Sequence, residues 1–562
     1  MLGIASLHEM KSNSYSRVLL WLAPLTFLGV LFFYPWFRIL AFGLSFETLK
    51  PDNLQLAFHV LLFTSYQAIL STLLTLLIGL PSAYLFARYE FRGKSLLRAL
   101  TTVPFMLPTV VVAAGFNALL GPRGWINLAL MHLFLLSNPP IQFVGTLGAI
   151  LLAHVFYNTT IVIRLVSNAL SRLDPKLEQA ARALGADHRR VGWHVTLPLL
   201  RPSILAASML VFLFDFTSFG VILLLGGPTF ATLEVEIYVQ ALQLLNLPLA
   251  ALLAFLQLLC TLAFSILYSR LSAQLTIQSA PRAAHPPKAK TASEKVFVLA
   301  FCILLFVFFV LPMLALPLRS VSRLDADRGQ QTPIHYGFTA GYYAELFINR
   351  SNSLFYVPPI NAALNSLGYA ITTVILSLLL GFPAASALAK PRALEKILDP
   401  ILILPLGASA VTLALGFIIA FGRLLISPWM VPLAHTLVAL PFVVRALQPA
   451  MASIPDRLRQ AASTMGASPF RVWQTVDWPI LSRATLSAAT FAFTISLGEF
   501  GATLLLARPD YPTIPIAIYR FLSLPGALNY GQAMAMATLL MALTTAGIMI
   551  IEKQRLPGAG EF

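Results

Sequence analysis

The sequence predicts an all-α polytopic membrane protein of about twelve transmembrane helices, arranged as two parallel six-helix repeats. Three observations predict it: a composition too apolar for water, a series of runs long enough to span a bilayer, and a repeat at a fixed offset. Of 562 residues, 58% are apolar and only 11% are charged. An ordinary soluble protein carries about 25% charged residues, so no polar coat can be assembled around this chain. The mean hydropathy of +0.80 agrees. A net charge of +16 would point to nucleic acid in a soluble protein. In a membrane chain it marks basic cytoplasmic loops, and no nucleic-acid partner is expected. Cys260 and Cys302 both lie in apolar runs, which excludes a disulfide framework and a zinc–thiolate site.

A run of about 20 apolar residues crosses the hydrocarbon layer as a helix. Twelve such runs are expected, at 18–42, 57–87, 99–120, 145–170, 199–225, 249–269, 296–318, 361–389, 398–421, 429–449, 484–506 and 533–551. The first is too long for a signal peptide and lacks a small-residue cleavage site, so it reads as a retained helix. With the N-terminus inside, 26 of the 38 Lys and Arg fall in inner segments. Between Pro202 and Ser269 there is no Lys or Arg, although that stretch holds an outer loop with Glu234 and Glu236. The positive-inside rule therefore places both termini in the cytoplasm.

The two halves repeat one another. His154 and Arg164 match His435 and Arg445; Pro198 matches Pro479; Phe219-Gly220 matches Phe500-Gly501; Tyr238 matches Tyr519. All of these pairs differ by 281 positions without a gap. Upstream, Pro104 and Gly115-Phe116 match Pro405 and Gly416-Phe417 at an offset of 301, because the outer loop 121–144 of the first half is about 20 residues longer. Six spans per unit is an even number, so both copies share one orientation, as parallel repeats do. The expected units are residues 1–270 and 296–562, joined by a basic, Pro-rich cytoplasmic linker over 271–295.

The repeated inner loops, 171–198 and 452–482, are the most informative segments. Asp174-Pro175 is a helix start, since Asp accepts from free N–H groups and Pro is tolerated at the first helical position. Leu177, Ala180, Ala181 and Leu184 form an apolar stripe at helical spacing, and Gly185 suits the left-handed turn that ends such a helix. The second copy reads Pro455, Leu458, Ala461, Ala462, Met465 and Gly466. A short amphipathic helix in each of two cytoplasmic loops suits either the membrane surface or a partner's groove.

These loops resemble the EAA signature of ABC-importer permeases: Glu-Ala-Ala, a Gly six residues after the Glu, and Leu-Pro after a further gap. Gln179-Ala180-Ala181, Gly185 and Leu197-Pro198 fit it, as do Gln460-Ala461-Ala462, Gly466 and Pro479. Gln replaces the Glu in both copies, and Trp478 replaces the Leu before Pro479. The resemblance spans nearly the whole chain and is closest to the fused permeases for thiamine and ferric iron. "GPRGWIN" (Gly121 to Asn127) and "TLEVEIYVQAL" (Thr232 to Leu242) look most like the thiamine type. It implies two cytoplasmic ATP-binding subunits, each docked on one loop helix, and an extracytoplasmic solute-binding protein. The chain would be a multi-pass plasma-membrane protein without a cofactor or covalent chemistry of its own. A solute, thiamine or a related cation or ferric iron, would be taken up by alternating access. The alternative is an ion-coupled secondary transporter with six plus six spans and no ATPase.

Other signals are weaker. Gly93-Lys94-Ser95 lacks the Gly five positions earlier that a phosphate-binding loop needs, since Arg88 stands there. His154 and His435 suit either an ion or proton path or helix-packing hydrogen bonds. Asp215 and Glu499 are carboxylates well inside spans, the fifth and the eleventh. A charge there costs about 2.5–3.5 kcal/mol on insertion scales, so both should face the bundle interior or a wet cavity. They serve either as a cation path or as hydrogen-bonded packing groups, and they are not equivalent: Asp215 matches Ser496, and Glu499 matches Ser218.

Overall fold

The computed structural model describes residues 19–46, 48–273, 289–323, 337–348, 358–422, 424 and 427–554. Most of the 271–295 linker lies outside them. Among the described residues the fold is helical apart from one two-residue antiparallel pairing, Ser322–Arg323 with Gly337–Phe338. Ten helices are long and apolar enough to cross a membrane, and two bent pairs raise the number to twelve if each pair is one span.

The bent pairs fall on the third and ninth expected spans, which are not straight rods. Lys94–Met106 meets the helix beginning at Thr109 at 112°, and Ala393–Pro405 meets Ala410–Phe421 at 91°. The first break has a clear cause: Pro108 excludes the α conformation at Leu107, whose ψ is 143°. In the second, Ser409 restarts the chain as an N-cap, its Oγ accepting from the Thr412 N–H at 3.0 Å.

The fifth and eleventh spans are also interrupted, at equivalent positions. Leu197–Phe216 stops at Thr217, and Trp478–Gly498 gives way at Glu499 and Phe500 to the short helix Gly501–Leu506. Each of these long helices is preceded by a π-helical turn, Gly192–Thr196 and Trp473–Asp477, 281 residues apart. Apolar periodicity carries no mark of such interruptions, because the residues on either side remain apolar.

The halves embrace through their first spans. Pro35 and Ile39, in Tyr34–Gly43, lie against Gly416 of the second half, while Pro312, in Ala292–Ser320, lies against Gly115 of the first. A Cβ at Gly416 would stand 2.9 Å from Pro35, and one at Gly115 would stand 3.0 Å from the Pro312 carbonyl. Glycine at both positions lets the backbones approach closely, as small residues do between membrane helices. The long loop over 121–144 adds a helix, Trp125–Phe134, and ties the halves further. Its Trp125 indole donates to the Ala315 carbonyl at 3.2 Å. The fully buried Asn127 holds the loop closed by bonds to Gly121 and Ile141.

Candidate functional site

Two groups of residues stand out, one at each end of the fifth and eleventh spans. At the start lie the loop helices, Pro175–Ala183 and Asp456–Thr464. In the first, Asp174 caps the helix by accepting from the Lys176 N–H at 3.0 Å. Both end in the same way. Gly185 donates to the Arg182 carbonyl and Ala186 to the Ala181 carbonyl, at 2.9 and 3.0 Å; Gly466 and Ala467 repeat the pair at 3.0 and 3.1 Å. This termination needs a left-handed residue, and φ is 88° at Gly185 and 81° at Gly466. The apolar stripe is turned outward: Leu184 is 90% exposed and Met465 81%. Gln179, Ala180, Gln460 and Ala461 are exposed as well, with Ala181 half-buried and Ala462 buried. Pro198 and Pro479 sit in the first turns of the following helices.

Each loop helix is clamped to its own half by charges that the sequence reading missed. Glu178 pairs with Arg88, at the end of the second span, and accepts from the Thr196 hydroxyl at 2.9 Å. In the second copy Asp456 pairs with Lys390 at 2.6 Å and Arg459 with Asp477 at 2.8 Å. The bonded Lys390 ammonium holds the Asp456 carboxyl below its ordinary value. Glu178 and Arg459 are equivalent positions with opposite charge, and that reversal was the available signal. The carboxylate absent at Gln179 thus stands one residue earlier. Lys94, set aside above as a phosphate ligand, bonds Glu90 at 3.0 Å.

At the far end, the interrupted helices meet across a seam between the halves. The rings of Phe219 and Phe500, equivalent residues, stack at 5.7 Å with an interplanar angle of 29°. Tyr238 packs on Phe219 at 5.8 Å and Tyr519 on Phe500 at 5.6 Å. A Cβ on Gly220 would lie 3.1 Å from Phe500, and one on Gly501 would lie 3.5 Å from both Phe219 and the Glu499 carboxylate.

The intramembrane acids sit beside this seam in unlike settings. Glu499 caps the short helix after the break: Oε1 accepts from the Ala502 N–H at 3.0 Å and Oε2 from the Thr503 N–H at 2.9 Å. His435 approaches it at 3.3 Å while bonding Ser496 and Thr503. Asp215 is fully buried; Oδ1 accepts from Asn158 at 2.6 Å, with His154 at 3.4 Å. His154 also bonds Ser218 at 2.8 Å. Each histidine therefore bonds one serine and lies beside one acid, with acid and serine exchanged between the copies. Among the described residues no cluster of three or more His, Cys, Asp or Glu has the arrangement of a metal site.

Residues 75–277 match the family model described as binding-protein-dependent transport system inner membrane component. The chain is thus similar over that stretch to the inner membrane components of such transport systems. It is 29% identical over 504 residues to the thiamine transport system permease protein ThiP of Brucella abortus (strain 2308), covering 87% of this chain and 86% of that one. Against ThiP of Escherichia coli (strain K12) it is 27% identical over 512 residues, with 89% of each chain covered. A chain of the crystal structure of a bacterial alginate ABC transporter, in complex with an alginate pentasaccharide-bound periplasmic protein, is similar over 49% of this chain and 99% of its own. The identity there is 16% and the TM-score 0.40.

Proposed function

We propose that this permease imports thiamine or a closely related organic cation, delivered by an extracytoplasmic binding protein and driven by two cytoplasmic ATP-binding subunits. The observation that carries the proposal is the pair of exposed, identically terminated loop helices at equivalent positions. Gln179 to Gly185 and Gln460 to Gly466 are the docking elements, and Pro198 and Pro479 begin the spans that respond. Both termini and both loops lie in the cytoplasm, and the halves, 1–270 and 296–562, are joined by the 271–295 linker. ATP binding draws the ATPases together, the clamped loop helices follow, and the long helices part the seam at their far ends. Asp215 and Glu499 lend negative potential to the path. The names of the long-range relatives favour thiamine over ferric iron. Hydrolysis takes place on the partner subunits, so the chain itself is not an enzyme.

The test is reconstitution of the permease with its ATPase in vesicles containing ATP, with loaded binding protein outside. Thiamine uptake that requires both ATP and binding protein is expected. Uptake driven by an ion gradient without an ATPase would overturn the proposal.

A further inference from the structure

Glu234 is a carboxylate in the seam that the sequence assigned to an outer loop, and its surroundings differ from those of the other two acids. It is 2% exposed, on the helix Leu233–Tyr238. That helix is anchored by the Thr64 hydroxyl, which accepts from the Leu233 N–H at 3.0 Å; Ser366 anchors its counterpart at Ile514 in the same way at 2.8 Å. Four residues separate Glu234 from Tyr238, which places both on one helix face. Tyr238 belongs to the ring cluster already described, so the carboxylate and the rings look toward the same seam. Gln257 donates to Glu234 at 2.6 Å, and Ser409 of the second half stands within hydrogen-bonding reach of it. Among the described residues no Lys, Arg or His forms an ion pair with Glu234. The Oε1 atom of the 1%-exposed Gln257 has no hydrogen-bond partner either. The equivalent of Glu234 in the second half is Pro515, so this acid occurs once in the molecule.

A buried carboxylate with no cationic partner is stabilised by any cation that reaches it. Aromatic faces attract the same class of ligand through their quadrupoles, best for organic and quaternary cations within about 6 Å of a ring centroid. With the halves together, the faces of Phe219 and Phe500 are spent on one another. When the halves part, those faces and the Glu234 side of the seam become available together. We propose that Glu234 and the Tyr238–Phe219–Phe500–Tyr519 ring cluster form a binding site for an aromatic organic cation between the two halves. This rests on the reading that the solute path runs through the seam.

The experiment is equilibrium dialysis of the purified permease–ATPase complex, without binding protein, in the nucleotide-free and vanadate-trapped states. The probes are thiamine, benzyltrimethylammonium and the anionic control benzylsulfonate. Both cations should bind in at least one state and the anion in neither. Glu234→Gln, which keeps the shape of the side chain, should weaken both cations tenfold or more. Phe500→Leu should weaken them severalfold, and Glu234→Asp less than Glu234→Gln. ATPase co-purification should be unchanged throughout. Cation binding that ignores Glu234, equal binding of the anion, or no cation binding in either state would overturn the site. Glu234-dependent binding of benzyltrimethylammonium without thiamine would uphold the site and overturn thiamine as the solute.

Discussion

Glu499 and Asp215 are held by different kinds of bond, and the difference has a measurable consequence. Both oxygens of Glu499 accept backbone N–H groups at the start of a helix, an arrangement that a carboxylate satisfies and an amide does not. Glu499→Gln turns an NH2 group toward an N–H and leaves a buried donor unpaired, at a cost of about 1–3 kcal/mol. Asp215 uses Oδ1 toward Asn158 and has the Ser71 hydroxyl within hydrogen-bonding reach, and an amide can keep both contacts, so Asp215→Asn preserves the bonds that exist. Thermal unfolding of the purified complex should therefore show a clearly larger loss for Glu499→Gln than for Asp215→Asn. Equal losses would contradict the capping role. The offset alignment already placed an acid opposite a serine in each copy. What it did not contain was the histidine between them, since His154 and His435 lie in different helices from the acids and meet them only through packing.

The loop helices were legible in the sequence almost to the residue, because their signals are local: a capping Asp, a Pro, a stripe at helical spacing and a glycine. Their clamps were not, because Arg88 and Glu178 are 90 residues apart and belong to different elements. The breaks in the third, fifth, ninth and eleventh spans were missed for a third reason. A broken span and a straight one have the same hydropathy, and a proline inside a membrane helix does not always break it: Pro81 and Pro383 sit within continuous helices. The first clamp can be tested by exchanging charges. Glu178→Arg sets two cations side by side and should reduce uptake severalfold, while adding Arg88→Glu should restore most of it. The coupling energy expected for a half-buried pair is about 0.5–1 kcal/mol. A double exchange no better than the single one would show that the ion pair does not position the helix.

At the scale of the whole molecule, the loop helices and the seam lie at opposite ends of the same long helices. Leu197–Phe216 has 20 residues, about 30 Å at the helical rise, and the second half repeats the arrangement with Trp478–Gly498. The repeat and the span order were readable because each rests on composition or periodicity. The seam was not, since it is made where four interrupted helices from both halves converge. Coupled transport requires motion at one end to reach the other, and the terminal glycines of the loop helices are where that coupling is most directly tested. A side chain at Gly185 or Gly466 meets open space, so the penalty comes from the left-handed backbone alone. That penalty is about 1–2 kcal/mol for an L-residue and smaller for Asn, which visits this conformation more readily. The decisive measurement is ATP hydrolysis and thiamine uptake in reconstituted vesicles, for the wild type and for the double variants Gly185→Val/Gly466→Val and Gly185→Asn/Gly466→Asn. The valine pair should insert normally yet lose uptake and the stimulation of hydrolysis by loaded binding protein, with the asparagine pair retaining most of both. Full, binding-protein-stimulated activity in the valine pair would contradict the coupling role of the loops.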